Sequence, residues 1–257
     1  MHFTFLGTGT SHGVPMIGCS CEVCTSTDPK NKRRRCSLHV VAAGKHLIFD
    51  TPPDFRDQVL TFGVERVDAV FLTHLHADHI FGFDDVRRFS DIQKEYIPVY
   101  ADPETMRQMR IKFDYVDRKS HSFGGVPRVQ FLDQTQPVNV GEVSITPLPV
   151  QHGTQTIYGY RVDADGASLA YIPDCSAIPN ETELLLKNLD AFILDALRPH
   201  PHPTHFSTEE SAHWLQKSGA KNQFVTHLTH NNEHTQLQHK LDPLHIQVPW
   251  DGRTVQL

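Results

Sequence analysis

A layered α/β fold in one domain is what this sequence predicts, and three observations carry it. Apolar runs such as D-A-V-F-L-T at 68–73 and A-F-I-L-D-A at 191–196 lack polar alternation, which marks strands covered on both faces. Helix-length segments alternate with these runs, as a sheet covered by helices requires. No Gly-, Ser- or Pro-rich linker, low-complexity tract or repeat divides the 257 residues, enough chain to bury a sizeable core.

The opening, M-H-F-T-F-L-G-T-G-T, predicts a first strand at His2–Leu6 that ends in a glycine turn. It has no basic n-region, so it reads as strand and turn rather than as a signal peptide, and the expected compartment is the cytoplasm. Further strands are expected at Leu38–Val41, His46–Asp50, Ala69–Thr73, Ile97–Tyr100, Val143–Pro149, Ser168–Ile172, Ala191–Asp195 and Gln223–Thr226. Helices are expected at Asp84–Lys94, Pro103–Phe113, Glu181–Asn188 and Ser207–Ser218. The last opens S-T-E-E, where Ser207 and Glu210 can form a capping box. The stretch 115–137 is the least regular and is read as a flexible segment beside the active site.

Bulk properties exclude some functions. Hydrophobic residues make up 39% without an apolar run of roughly 18 residues that could span a bilayer. The formal charge of -6, from Lys+Arg 24 against Asp+Glu 30, argues against strong nucleic-acid binding. The basic run K-N-K-R-R-R at 30–35 is the exception, and it reads as a solvated loop before it reads as a phosphate site. Three of the five cysteines sit in G-C-S-C-E-V-C at 18–24. In a reducing compartment that spacing points to metal binding rather than disulfides. Cys36 and Cys175 stand alone and are expected to be small buried residues.

Residues 71–81 read F-L-T-H-L-H-A-D-H-I-F, which places His74, His76, Asp78 and His79 directly after a strand. Single ligand types recur at later strand ends: His152 in V-Q-H-G, Asp174 in Y-I-P-D and His227 in F-V-T-H. Ligands at strand ends converge along one edge of an α/β sheet. Five imidazoles and two carboxylates are too many for one tetrahedral zinc and suit two ions that share a bridging carboxylate and a bridging water.

F-L-T-H-L-H-A-D-H, with His, Asp and His at later strand ends, resembles the metallo-β-lactamase-fold hydrolases over nearly the whole chain. The resemblance implies an αββα sandwich, one domain over 1–257 with a structural zinc loop near 18–36, and a dinuclear centre. In that pattern His74, His76 and His152 hold one ion, Asp78, His79 and His227 hold the other, and Asp174 bridges. Asp50, which closes H-L-I-F-D-T, matches an aspartate that supports the His-rich loop through a hydrogen bond. G-T-G-T-S-H-G-V-P at 7–15, followed by the cysteine triplet, is similar to the PhnP-type phosphodiesterases of the carbon–phosphorus lyase pathway. In that group Cys19, Cys21 and Cys24 with a distant histidine would hold a structural Zn²⁺. T-H-L-T-H at 226–230 offers His230 as the fourth ligand, with His234 or His239 as substitutes.

The implied activity is hydrolysis of small or cyclic phosphodiesters, with Mn²⁺ or Zn²⁺ in the dinuclear site and no membrane partner. His205, in R-P-H-P-H-P-T-H-F-S-T at 198–208, is expected as the general acid, with Asp78 and Asp174 as the catalytic carboxylates. His200 and His202 are expected to be exposed loop residues. The resemblance also carries the expectation of a homodimer. Alternatives of the same fold are a ribonuclease Z-like endoribonuclease, a thioester or lactam hydrolase, and a non-catalytic metabolite binder similar to coenzyme PQQ synthesis protein B. A ribonuclease of this kind needs a basic protruding arm, and no stretch of useful length reads as one.

Overall fold

The computed structural model describes residues 1–117 and 125–257. Two seven-stranded sheets lie face to face. Strands β1 (His2–Gly7), β2 (Ser37–Ala42), β3 (Lys45–Phe49), β4 (Ala69–Phe71), β5 (Ile97–Ala101) and β6 (Val129–Asp133) belong to the first. β7 (Val138–Val140), β8 (Val143–His152), β9 (Gln155–Ala164), β10 (Ala167–Ile172), β11 (Ala191–Asp195), β12 (Asn222–Thr226) and β13 (Ile246–Gln247) form the second. The last strand, β14 (Thr254–Gln256), returns to the first sheet beside β1. The helices are α1 (Glu22–Thr25), α2 (Phe55–Thr61), α3 (Ala77–Ile80), α4 (Val86–Gln93), α5 (Pro103–Lys112), α6 (Asp114–Asp117), α7 (Asn180–Leu185), α8 (Thr208–Ser218) and α9 (His234–Leu241).

The strands explain the layering. Successive side chains of a strand point to opposite faces. In β3, Leu47 and Phe49 meet Tyr160, Tyr171 and Phe224 of the other sheet, while Ile48 turns outward to Phe55, Val59 and Val86. In β10, Leu169 and Tyr171 face inward, whereas Ala170 and Ile172 pack outward with Leu215 and Leu237. Apolar residues on both faces therefore produce four layers, helices outside and sheets inside. This is the αββα arrangement of the metallo-β-lactamase fold.

Several elements differ from expectation. The strand β9 was not foreseen, because Q-T-I-Y-G-Y-R-V-D-A mixes polar and apolar residues; it pairs antiparallel with both β8 and β10. Part of the stretch expected to be irregular, 115–137, forms β6 (parallel to β5), while residues 118–124 lie outside the described residues. The expected helix Glu181–Asn188 stops at Leu185, where Arg161 Nη1 takes up the carbonyls of Leu185 and Lys187 at 2.6 and 3.1 Å. The helix expected at Asp84–Lys94 starts at Val86, after a 3₁₀ turn at Phe83–Asp85. α2 and α9 were not anticipated either.

The N-terminal glycines serve close approach. A Cβ on Gly7 would lie 2.0 Å from the carbonyl oxygen of Arg35, and one on Gly9 would lie 2.9 Å from that of Arg33. Only glycine lets the first strand's exit lie against the basic segment.

The capping box of α8 is present: Ser207 accepts from Glu210 N at 3.4 Å, and Glu210 Oε2 accepts from Ser207 N at 2.8 Å. Ser207→Ala should cost about 1 kcal/mol of stability, read from the shift of a urea unfolding midpoint. An unchanged midpoint would mean that tertiary packing alone holds this helix.

Candidate dinuclear metal centre

The site lies where the parallel strands of both sheets end. β3 delivers Asp50, which sits at φ 63°, a left-handed turn that aspartate tolerates better than most residues. Its Oδ1 accepts from Thr73 N at 2.8 Å, and its Oδ2 lies 2.7 Å from His79 Nδ1. Burial pushes the Asp50 carboxyl up, and the adjacent His79 opposes that push. After β4 the chain runs through His74 and His76 into the single-turn helix α3, which carries Asp78 and His79. His152 closes β8, Asp174 follows β10, and His227 follows β12 at φ 60°.

These residues meet. Asp174 is central: its Oδ2 lies 3.7 Å from His74 Nε2, and its Oδ1 lies 3.2 and 3.4 Å from the Nε2 atoms of His79 and His227. Asp78 Oδ2 is 3.3 and 3.6 Å from the same two nitrogens. Ligand atoms of His74, His76, His152 and Asp174 form one group within 4.8 Å of one another, and those of Asp78, His79 and His227 form a second.

The donor set suits two divalent cations. His79 Nε2, His227 Nε2 and Asp174 Oδ1 are buried without a hydrogen-bond partner among the described residues. Buried polar atoms left this way are costly, so several of them converging on one point match a cation that would satisfy them. Asp50 holds the Nδ1 side of His79, which turns Nε2 into the cluster. Electrostatics agree with this arrangement. Burial alone would lower the His79 pKa, but Asp174, Asp78 and Asp50 raise it well above the ordinary value. Burial opposes ionisation of Asp174, yet His227, His79 and His74 hold it well below the carboxylate range.

His205 flanks the centre. Its Nε2 lies 4.0 Å from Asp174 Oδ2, and its Nδ1 lies 2.8 Å from Asp195 Oδ2. Asp195 is fully buried, also accepts from Cys175 N at 2.9 Å, and is pushed well up by burial. It was missed in the sequence, although A-F-I-L-D ends an apolar strand in an aspartate as I-F-D does at Asp50. His200 is exposed, as expected, whereas His202 is half-buried, with Nδ1 3.1 Å from Thr204 Oγ1 and its ring centroid 5.2 Å from that of His205. A cavity of about 410 Å³ opens over the centre, lined by Ser11, His76, Asp78, His152, Asp174 and His205 among others.

A second cluster lies below. The Sγ atoms of Cys19, Cys21 and Cys24 lie 3.3, 3.5 and 3.5 Å from His230 Nδ1. His230 is therefore the histidine at the thiols. His234 instead lies 3.2 Å from Arg33 Nη2. The Cys21 thiol is pulled down to about 6, chiefly by the Cys24 backbone N–H, while burial pushes Cys24 up to about 11. Cys36 and Cys175 are buried, as expected.

Residues 45–228 match the family described as the beta-lactamase superfamily domain. The chain superimposes on the crystal structure of a new diphosphatase from the PhnP family with a TM-score of 0.91 and 38% identity, covering 100% of this chain and 97% of that one. Zn²⁺-bound PqqB from Methylobacterium extorquens superimposes with a TM-score of 0.85 at 20% identity over the full length of both chains, a likeness of fold alone. An octanoyltransferase of Porphyromonas gingivalis is 34% identical over 256 residues, 98% of this chain and 51% of that protein. The chain thus spans about half the length of that relative. No helix among the described residues is long and apolar enough to cross a membrane.

Proposed function

The chain belongs to the beta-lactamase superfamily, and from that premise we propose that it is a dinuclear metal-dependent phosphodiesterase acting on small, including cyclic, phosphodiesters. The observation that carries this reading is the His205–Asp195 pair beside the ligand cluster, with Nδ1 and Oδ2 2.8 Å apart. The group displaced from a phosphodiester leaves as an alkoxide, which needs a proton, whereas the thiolate displaced from a thioester places less demand on an acid.

In this proposal His74, His76 and His152 would hold one ion and Asp78, His79 and His227 the other, with Asp174 placed between the two groups. Bound Mn²⁺ or Zn²⁺ would supply an acidified water and neutralise charge on the phosphoryl oxygens. Asp195 orients the His205 ring, and Asp50 orients His79. In its imidazolium form, which burial disfavours and the nearby Asp174 favours, His205 would give the Nε2 proton to the departing oxygen and be left neutral, and burial of Asp174, Asp50 and Asp195 keeps the groups aimed without reorganisation. Cys19, Cys21, Cys24 and His230 would hold a structural Zn²⁺ and a homodimer remains part of the proposal.

Diphosphate hydrolysis, the activity named for the PhnP-family structure, is the second reading, favoured by a likeness that spans both chains. A phosphate leaving group needs less help from an acid, so the two readings separate on His205.

The test is metal content by elemental analysis alongside hydrolysis of bis(p-nitrophenyl) phosphate, 2′,3′-cyclic nucleotides and a diphosphate diester with added Mn²⁺. A content near three ions per chain, with diester turnover, is the expected result. Full metal loading without any diester or diphosphate turnover would sink the proposal. Cys24→Ser should remove one ion, leave two, and lower the melting temperature by about 5 °C or more. A variant that keeps all its metal and its melting temperature would rule out the thiolate site.

A further inference from the structure

We propose that Ser176 is a positioning residue that sets His152 against Asp174 in the dinuclear centre. The inference rests on the dinuclear reading above and on no particular substrate.

His152 is the last residue of β8, directly before the turn into β9. On one edge β8 pairs with β9 from Ser144 to His152, but on the other β7 reaches only Val143–Ile145. The strand end that carries His152 therefore lies well past β7, and something else has to hold its second edge.

Ser176 does so from both sides of His152. Its backbone N–H donates to the Gln151 carbonyl at 2.7 Å, and its hydroxyl donates to the same carbonyl at 3.2 Å. The hydroxyl also accepts from Gly153 N at 3.0 Å. Ala177 completes the attachment, its carbonyl accepting from Gln151 N at 2.9 Å. Ser176 is not among the residues that line the cavity over the centre, so it acts through His152 rather than on substrate.

The same short segment carries the other half of the contact. Asp174 precedes Ser176 by two residues, and Cys175 N between them donates to Asp195 Oδ2 at 2.9 Å. That oxygen lies 2.8 Å from His205 Nδ1. Residues 174–176 thus tie the end of β8 to the central carboxylate and to the aspartate that orients His205.

Only the hydroxyl reaches past His152 to Gly153, whereas the backbone bonds to Gln151 survive any substitution at position 176. Gly153 sits at φ 63° against the His205 loop, where a Cβ would lie 2.9 Å from Thr204 Cγ2. A turn released from Ser176 is blocked on that side and can move only away from the loop, taking His152 with it. Groups that orient a ligand in this way are typically worth about 10–100-fold in metal affinity.

The experiment is chelator competition on the metal-loaded protein, which reads the affinity of each dinuclear ion without any turnover. Ser176→Ala should weaken one ion by about 10–100-fold and the other clearly less, because His152 belongs to one ligand group. The melting temperature of the chelated protein should stay within about 2 °C of wild type. Ser176→Thr, which keeps the hydroxyl, should restore most of the affinity. Ser176→Cys, a weaker hydrogen-bonder of nearly the same shape, takes the place of Ser176→Ala if the latter fails to fold. Wild-type affinity for both ions, or a weakening shared equally by both, overturns the proposal. If the wild-type protein takes up no chelator-sensitive ions, the dinuclear reading has failed on its own, and hydrogen exchange in the metal-free proteins decides the role of Ser176. Exchange of the Gly153 amide that quickens about 10-fold in Ser176→Ala supports it; equal exchange refutes it.

Discussion

Asp174→Ala should abolish turnover and release the dinuclear ions while the metal at Cys19, Cys21, Cys24 and His230 stays. Among the described residues, Asp174 is the one carboxylate within 4.0 Å of His74, His79, His205 and His227 together. Its neighbours come from three segments of chain: His74 and His79 after β4, His205 before α8 and His227 after β12. Metal ions at such centres contribute several kcal/mol of charge stabilisation in the transition state, which converts to a loss of about 10³-fold or more in kcat. Elemental analysis before and after mild chelation, with diester kinetics on the same samples, reads both effects. Retention of two chelator-sensitive ions at wild-type activity would refute the bridging role.

His205→Ala should separate metal binding from proton transfer. The variant is expected to keep its dinuclear ions and to lose about 10²–10⁴-fold in kcat for diesters with alkoxide leaving groups. Bis(p-nitrophenyl) phosphate, whose leaving group departs with little help, should be affected far less. Asp195→Asn should give a smaller loss of about 10–100-fold with the same leaving-group dependence, because it acts by orienting the imidazole. Equal losses for aryl and alkyl diesters would mean that His205 positions substrate rather than donating a proton. A large loss with alkyl diesters and little change with a diphosphate diester would place proton donation at His205 and leave both substrate classes open to the enzyme.

Much of this centre was readable before any coordinates. H-L-H-A-D-H crowds four candidate ligands after one strand, and His152, Asp174 and His227 each close an apolar run. A strand end fixes where a side chain leaves the sheet, so the sequence positions carried spatial meaning. Asp195 obeys the same rule and was overlooked because a single aspartate after A-F-I-L looks like an ordinary strand terminus. Its partner His205 lies ten residues on, across a loop whose path no local pattern specifies. The choice among His230, His234 and His239 was equally local in appearance. In the fold His230 lies at the three thiols, while Arg33, arriving from the other end of the chain, lies beside His234.

The sequence by itself determined the layering and the set of candidate ligands. Runs apolar on both faces must be covered twice, and imidazoles with carboxylates at strand ends select divalent cations. Only the tertiary structure decided which groups face one another. β9 found its place because β8 and β10 offered it partners on both edges, despite its mixed composition. The basic run lies against the exit of the first strand, where glycines at positions 7 and 9 let the backbone close against it. Local propensity specifies where a chain turns and what it carries there; which carboxylate meets which base depends on long-range packing, which no short stretch encodes.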